Sequence, residues 1–318
     1  MDTCSIEATK TSAAEVHPVR TFAELRERAR QAVPRRVGVV QADDDVALTA
    51  ASLALLAGMA SPVLIGNAAL IRARMKQLGL DELEKAAEIV EAEDAAGAAV
   101  RMARLGHLHV LLKGHLRTDE LLRPVLDKEH GLRTGRLLCD VAFFEHRAPE
   151  GTRLVGISDG GLNVAPTLEQ KKQIVEGAID VLHCLGVARP RIAIMSAIEV
   201  VSQSIPSTQD AHALTRMGEE GAFGDAEVYG PLALDNALLE WAARAKGIEH
   251  PVAGHADCLI VPGIEAGNLL AKAIAFLAGW EFAHVIAGAR VPILIPSRVE
   301  PAQDKVNAIA LGVLYAAR

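Results

Sequence analysis

Aromatic side chains are scarce in this chain: 6 Phe, 2 Trp and 2 Tyr make up 3% of 318 residues. Its core must therefore be filled by Ala, Val, Leu and Ile, and nucleic-acid platforms built on base stacking are disfavoured. Long basic runs are missing too. Lys and Arg total 33 against 40 Asp and Glu, a net charge of −7, which makes DNA, RNA and anionic membranes poor partners. Any anionic ligand needs a local patch of positive charge. The 4 cysteines (Cys4, Cys139, Cys184, Cys258) lie far apart with no CxxC and no Cys/His spacing of a zinc site, as expected for reduced thiols in the cytoplasm. Met1 to Lys10 has no apolar signal core. Neither GxxxxGK[ST] nor a GxGxxG after a strand occurs, so the common phosphate-loop and dinucleotide fingerprints are absent. Val46 to Ile71 is uncharged for longer than the ~18 residues of a membrane span. However, Ser61-Pro62 and Gly66-Asn67 divide it, and it reads as a buried helix–strand pair.

Half of the residues are hydrophobic and mean hydropathy is +0.22, enough for a large core. At ~150 residues per domain the length suggests two domains. Short apolar runs alternate with amphipathic stretches. Strands are expected at 36–41, 61–66, 108–113, 139–144, 153–157, 191–195, 258–261, 282–287 and 291–295. Helices are expected at 45–59, 68–78, 95–105, 118–129, 168–185, 208–219, 234–246, 266–277 and 301–317. Largely βα order with near-continuous apolar strands predicts an α/β fold around a parallel sheet covered on both faces. Thr167-x-x-Gln170 and Ser207-x-x-Asp210 read as capping boxes, and Gly186, Gly247 and Gly279 as left-handed helix ends. Pro and Gly interrupt the pattern at Arg147–Thr152. The expected organisation is a loose tail over 1–18, a first domain of 19–147 plus 299–318, and a second of 148–298.

Gly156-Ile-Ser-Asp-Gly160 matches GxSxG, but a nucleophile elbow needs a helix directly after the serine. Here Gly161 to Pro166 intervenes, so Ser158 reads as a loop serine. His107 and His109 share a face with no third ligand in view, and no metal site is expected. More informative are polar clusters just after strands, where open α/β sheets bind ligands. They are Lys113-Gly-His115, Ser158-Asp-Gly-Gly161 with Asn163, Ser196 to Glu199, Pro262 to Asn268, and Ser297-Arg298. Arg298 offers a planar fork of donors suited to phosphate or an oxyanion; a solvated arginine is the plain alternative. Asp304, seven residues after Ser297, suits a base or simply favours the dipole of the last helix. Arg123 and Arg133, near Gly131 and Gly135, suit anionic groups or plain solvation.

Taken together, the longer blocks become specific. They are Lys113 to Arg123, Gly131-Leu-Arg-Thr-Gly135, Ser158 to Asn163, Pro206-Ser-Thr208 with Asp210-Ala211, Gly230 to Ala233 with Asp235-Asn-Ala237, Lys246-Gly-Ile248, Val252-Ala-Gly254, Asp257, Pro262 to Asn268, and Ser297-Arg298. In this order, over about 108–318, the chain resembles the phosphate acetyl/butyryltransferase family. The resemblance implies reversible transfer of a short acyl group (acetyl or butyryl) between coenzyme A and inorganic phosphate, by direct attack in a ternary complex. It implies two α/β/α domains with a cleft between them, an isocitrate/isopropylmalate-dehydrogenase-like fold, and a homodimer. It also implies no metal and no cofactor beyond coenzyme A as substrate. By matching positions, Ser297, Arg298 and Asp304 are the expected catalytic residues. Arg123, Arg133, Ser158, Asp159, Gly160 and Asn268 are the expected substrate-binding residues. The chain departs from the family at Cys139-Asp140-Val141, where butyryl-type members often read Ser-His-Val, and at Pro296, where a polar residue is common. The competing readings are an acyl-carrier-protein phosphate acyltransferase of the same fold and a non-catalytic CoA-binding module.

Overall fold

The structure is a computed structural model that describes residues 17–149, 151–297 and 299–317. All but two residues of the expected N-terminal tail, and Arg298, lie outside the described residues. The strands are β1 (Arg35–Val40), β2 (Ala60–Gly66), β3 (Glu88–Glu91), β4 (Val110–Lys113), β5 (Cys139–Ala148), β6 (Gly151–Ser158), β7 (Arg191–Met195), β8 (Glu227–Leu232), β9 (Cys258–Ile260), β10 (Phe282–Ala287) and β11 (Ile293–Leu294). The helices of the first half are α1 (Phe22–Gln31), α2 (Asp45–Leu56), α3 (Ala68–Leu78), α4 (Asp81–Ala86), α5 (Ala95–Arg104) and α6 (Thr118–Val125). Those of the second half are α7 (Leu168–Cys184), α8 (Pro206–Glu219), α9 (Leu234–Leu238), α10 (Glu240–Ala245), α11 (Ile264–Lys272), which runs into a π-helical turn at Ala273–Leu277, and α12 (Ala302–Tyr315).

Local chemistry starts and stops these helices where it should. Asp44, Asn67, Asp94 and Thr167 each accept a backbone N–H of the helix they precede, satisfying donors that the helix itself leaves free. Thr167 and Gln170 form the full reciprocal box. The second expected box does not form. Helix α8 begins at Pro206, whose fixed φ and missing N–H suit a first turn. Ser207 Oγ instead meets Ser196 Oγ at 2.8 Å. Asp210 accepts from Lys171 Nζ at 2.7 Å, pinning α8 to α7.

One sheet of eleven strands runs through the described residues in the order β3-β2-β1-β4-β11-β10-β5-β6-β9-β7-β8. It is mixed, not parallel throughout. The strands β3, β2, β1, β4 and β11 pair in parallel, as do β6, β9, β7 and β8. Between them β11–β10, β10–β5 and β5–β6 are antiparallel. Three successive reversals leave the two parallel sets running in opposite directions, and the antiparallel centre is the seam where they meet. The break at Arg147–Thr152 is the tip of the β5–β6 hairpin, with Ala148 paired to Gly151. Pro and Gly there serve a turn inside the sheet. The helices cover the sheet, and the core is aliphatic as the composition requires, with Phe22, Phe143, Phe144 and Phe282 among its largest fully buried side chains. Helix α12 is buried along most of its length, including the polar Asp304, Lys305 and Asn307.

No helix among the described residues is long and apolar enough to cross a membrane. The uncharged stretch 46–71 is α2 from Val46 onward, then β2 and the start of α3, with Leu53 and Leu56 exposed on α2.

Candidate active site

A cleft of about 520 Å³ opens over the antiparallel centre of the sheet. Its walls come from the end of β4 and the start of α6 (Lys113 to Asp119), from β5 and β6 (Asp140, Ala142, Ile157), from the loop after β6 (Gly160, Gly161), from α11 and its π turn (Asn268 to Phe276), from β10 (Phe282, His284), and from the segment after β11 (Ile295 to Ser297, Glu300). The structure thus brings Ser297, Gly160 and Asn268 together, although 137 positions separate Gly160 from Ser297 in sequence.

The loop Ser158–Gly161 is built by the chain's own polar groups. Asp159 is buried. Its Oδ1 accepts the N–H groups of Gly161 and Leu162, both at 2.8 Å, and its Oδ2 those of Asp140 at 3.0 Å and of the Asn163 amide at 2.6 Å. Burial and the nearby Asp140 raise its pKa against the pull of those donors. Ser158 is fully buried and donates its hydroxyl to Asp140 O at 2.8 Å. Neither of these two expected substrate-binding side chains lines the cleft. A carboxylate saturated by four internal donors, and a hydroxyl sealed under the loop, shape the wall without touching what it holds. The same burial removes Ser158 as a nucleophile. Close packing completes the arrangement: a Cβ on Gly267 would lie 2.8 Å from Gly160 Cα. Two glycines let α11 press directly onto the loop, and Asn268 Nδ2 donates to Gly160 O at 3.3 Å.

Asp304 sits one layer behind the cleft lining, at the first turn of α12. It is 5% exposed, and Oδ1 accepts Phe282 N–H at 3.1 Å. Burial, helped by Glu300 and Glu281, raises its pKa to about 6 against the Phe282 hydrogen bond and the nearby His284. A carboxyl tuned to this range can exchange protons near neutral pH. Lys305 donates to Ser297 O at 3.4 Å, tying the Ser297 backbone to α12.

Arg123 and Arg133 do not reach this cleft. Arg123 is exposed on α6 and faces a separate recess with Gln41, Asp94 and Asp127. Arg133 is exposed, and its backbone bridges to Ala289. Both sit on surfaces where water solvates the guanidinium, and in their place the cleft carries Lys113, Arg117, Lys272 and His284.

Sequence reasoning missed His284 and Glu300. His284 interrupts the apolar run Phe-Ala-His-Val-Ile-Ala of β10, and that lone polar side chain in a buried strand was the available signal.

Residues 81–313 match the family described as phosphate acetyl/butaryl transferase. The chain is 41% identical over 292 residues to a phosphate acetyltransferase of Rhizobium meliloti, covering 91% of this chain and 92% of that protein. It is 35% identical over 302 residues to a phosphate butyryltransferase of Clostridium beijerinckii, covering 94% and 99%. A branched-chain phosphotransacylase from Enterococcus faecalis V583 superposes with a TM-score of 0.76 at 28% identity, covering 89% of this chain and 99% of that one. A phosphotransacetylase from Streptococcus pyogenes shares the fold, with a TM-score of 0.79 at 18% identity, covering 93% and 99%. With the family's match spanning most of the chain and its relatives aligned almost end to end, the chain belongs to the phosphate acetyl/butaryl transferase family.

Proposed function

We propose that the protein is a phosphate acyltransferase that moves a short acyl group reversibly between coenzyme A and inorganic phosphate. The observation that carries this reading is the convergence of Ser297, the Gly160–Gly161 loop and Asn268 on one cleft, in a chain of this family.

In the proposed reaction a phosphate oxygen attacks the thioester carbonyl. The tetrahedral intermediate then collapses to acyl phosphate and expels the coenzyme A thiolate. In reverse, the thiol gives up its proton, its sulfur attacks the carbonyl of acyl phosphate, and the C–O bond to phosphate breaks to release inorganic phosphate. Direct transfer needs no covalent intermediate. It needs both reactants at attack distance, an effect worth up to ~7–11 kcal/mol. Arg298 is assigned to phosphate or the polarised carbonyl, where one donor is commonly worth ~3–4 kcal/mol. Ser297 is assigned to the carbonyl oxygen or the sulfur. Asp304 is assigned the thiol proton, exchanged through one water because its carboxyl lies behind the lining. Lys113 and Arg117 supply positive charge on the same walls. The apolar part of the cleft (Ala142, Ile157, Phe282) suits a short alkyl chain. The two lobes, 19–147 with 299–318 and 148–298, close over the substrates and exclude the water that would hydrolyse acyl phosphate. The enzyme works in the cytoplasm as a homodimer.

The test is thiol release from acetyl-, propionyl- and butyryl-CoA with and without phosphate. Phosphate-dependent release, with acyl phosphate formed in equal amount, is the expected result. Activity only with an acyl-carrier protein, or coenzyme A binding without turnover, would replace the reading with one of its competitors.

A further inference from the structure

We propose that His284 is a positioning residue of the acyl-transfer site, an imidazolium that clasps Glu300 to Asp140 and so fixes Ser297, which is hydrogen-bonded to Glu300, against the sheet. The inference rests on the function proposed above and adds a residue to which that reading assigns no role.

The clasp is visible in the distances. His284 lies on β10, beside β5, with Ile286 opposite Asp140 and His284 opposite Ala142. Its Nδ1 is 3.5 Å from Asp140 Oδ1, and its Nε2 is 3.6 Å from Glu300 Oε1. The three side chains are 17%, 5% and 11% exposed, and all three line the cleft. On one side the ring packs on Phe282, with centroids 5.7 Å apart. Among the described residues, Asp140 Oδ1 and Glu300 Oε2 accept no hydrogen bond. Two carboxylates nearly sealed from water and facing a common gap repel each other unless a cation stands between them. His284 occupies that gap.

Ser297 is the part of the site that His284 would hold through Glu300. Glu300 N–H donates to Ser297 O at 3.2 Å, and Lys305 Nζ donates to the same oxygen at 3.4 Å. A displaced Glu300 would drag Ser297 with it. The groups facing the imidazole are Asp140 from β5, Glu300 from just before α12 and Asp304 from α12. Glu281 precedes β10, Lys305 stands on α12 and Lys113 lines the far wall. Burial alone would drive the imidazole neutral, but Asp140, Glu300 and Asp304 outweigh it and hold the proton up to about 9.

The experiment compares wild type with His284→Gln and with the double variant His284→Gln/Glu300→Gln across pH 6.5 to 10. Wild type should lose kcat/KM as pH rises through about 9. At pH 7.5, His284→Gln should lower kcat roughly 10- to 100-fold with KM for acyl-CoA within about threefold, and its alkaline limb should vanish. Neutralising the stranded carboxylate in the double variant should recover at least several-fold of the lost kcat, which a merely structural histidine does not predict. A His284→Gln enzyme with kcat within threefold of wild type and the same alkaline limb would overturn the proposal. So would a double variant no better than the single one. If His284→Gln fails to fold, the double variant is read directly against wild type, and persistence of the limb near pH 9 refutes the clasp. Should wild type transfer no acyl group at all, the function fails first. The clasp is then judged by the unfolding midpoint, which must fall as pH rises from 6.5 to about 9 in wild type and stay flat in the double variant; equal slopes refute it.

Discussion

Replacing Asp304 with Asn should make the protein more stable and less active. The carboxyl titrates near 6, above its ordinary 3.8, because α12 buries it among Glu300 and Glu281. The folded state therefore holds the proton more tightly than the unfolded chain does. Stability is lost as pH rises from 3.8 to about 6 and stays lost above that. The full shift corresponds to about 3 kcal/mol at neutral pH. Solvent screening through the open cleft reduces this to about 2 kcal/mol. Asparagine keeps an oxygen to accept Phe282 N–H, whose present distance is 3.1 Å, and carries no charge to desolvate. Urea unfolding of Asp304→Asn at pH 7.5 should thus show a gain of about 2 kcal/mol over wild type, shrinking to roughly half at pH 5. Turnover should fall by about 10²- to 10⁴-fold, the usual contribution of a positioned acid–base group. A stability gain that does not change with pH, or a variant that keeps its activity, would refute the reasoning.

Arg298→Ala should lower kcat by about 10²- to 10³-fold with an unchanged circular dichroism spectrum; turnover within threefold of wild type would remove its assigned role. Asp210→Ala breaks the ion pair to Lys171, whose side chain is 7% exposed, so chemical denaturation should reveal a loss of about 2 kcal/mol, while KM for both substrates stays as in wild type. Cys139 and Cys258 are fully buried, and burial raises both thiols well above their ordinary range. Neither should react with a thiol reagent until the protein unfolds, and replacing Cys139, Cys184 and Cys258 with Ala should leave turnover within about threefold; rapid native labelling of Cys139 or Cys258, or loss of turnover in the replaced protein, would contradict this.

Most strands were legible because burial on both faces leaves uninterrupted aliphatic runs such as Arg-Ile-Ala-Ile-Met of β7. Those that escaped lie at the sheet edges. Strand β3 reads Glu-Ile-Val-Glu and β8 reads Glu-Val-Tyr-Gly-Pro-Leu, compositions that local pattern cannot separate from a loop. Helix α1 was missed although Thr21 accepts from Glu24 N–H at its start; its charged sequence hides an apolar stripe of Phe22, Leu25 and Ala29. The antiparallel centre was invisible for a different reason. Apolar strands look alike whichever way their neighbours run, and a hairpin tip at 147–152 has the composition of a linker.

Site residues that follow one strand could be read as a cluster, as with Ser297. Contacts made by sheet register could not. Asp140 and His284 meet only because β5 and β10 pair with Ile286 opposite Asp140. Ser158 and Asp159 show that a polar loop motif beyond a strand also builds the loop itself. Arg123 falls in a family block and Arg133 stands beside it, but neither a matching block nor charge says which way a side chain faces.

Isotope exchange tests the central claim most directly. Labelled coenzyme A, unlabelled acyl-CoA and the enzyme are incubated first without phosphate and then with it. Direct transfer between two bound substrates predicts no label in acyl-CoA until phosphate is added, and steady exchange thereafter. Label entering acyl-CoA before phosphate is present, or none entering afterwards, would contradict the account.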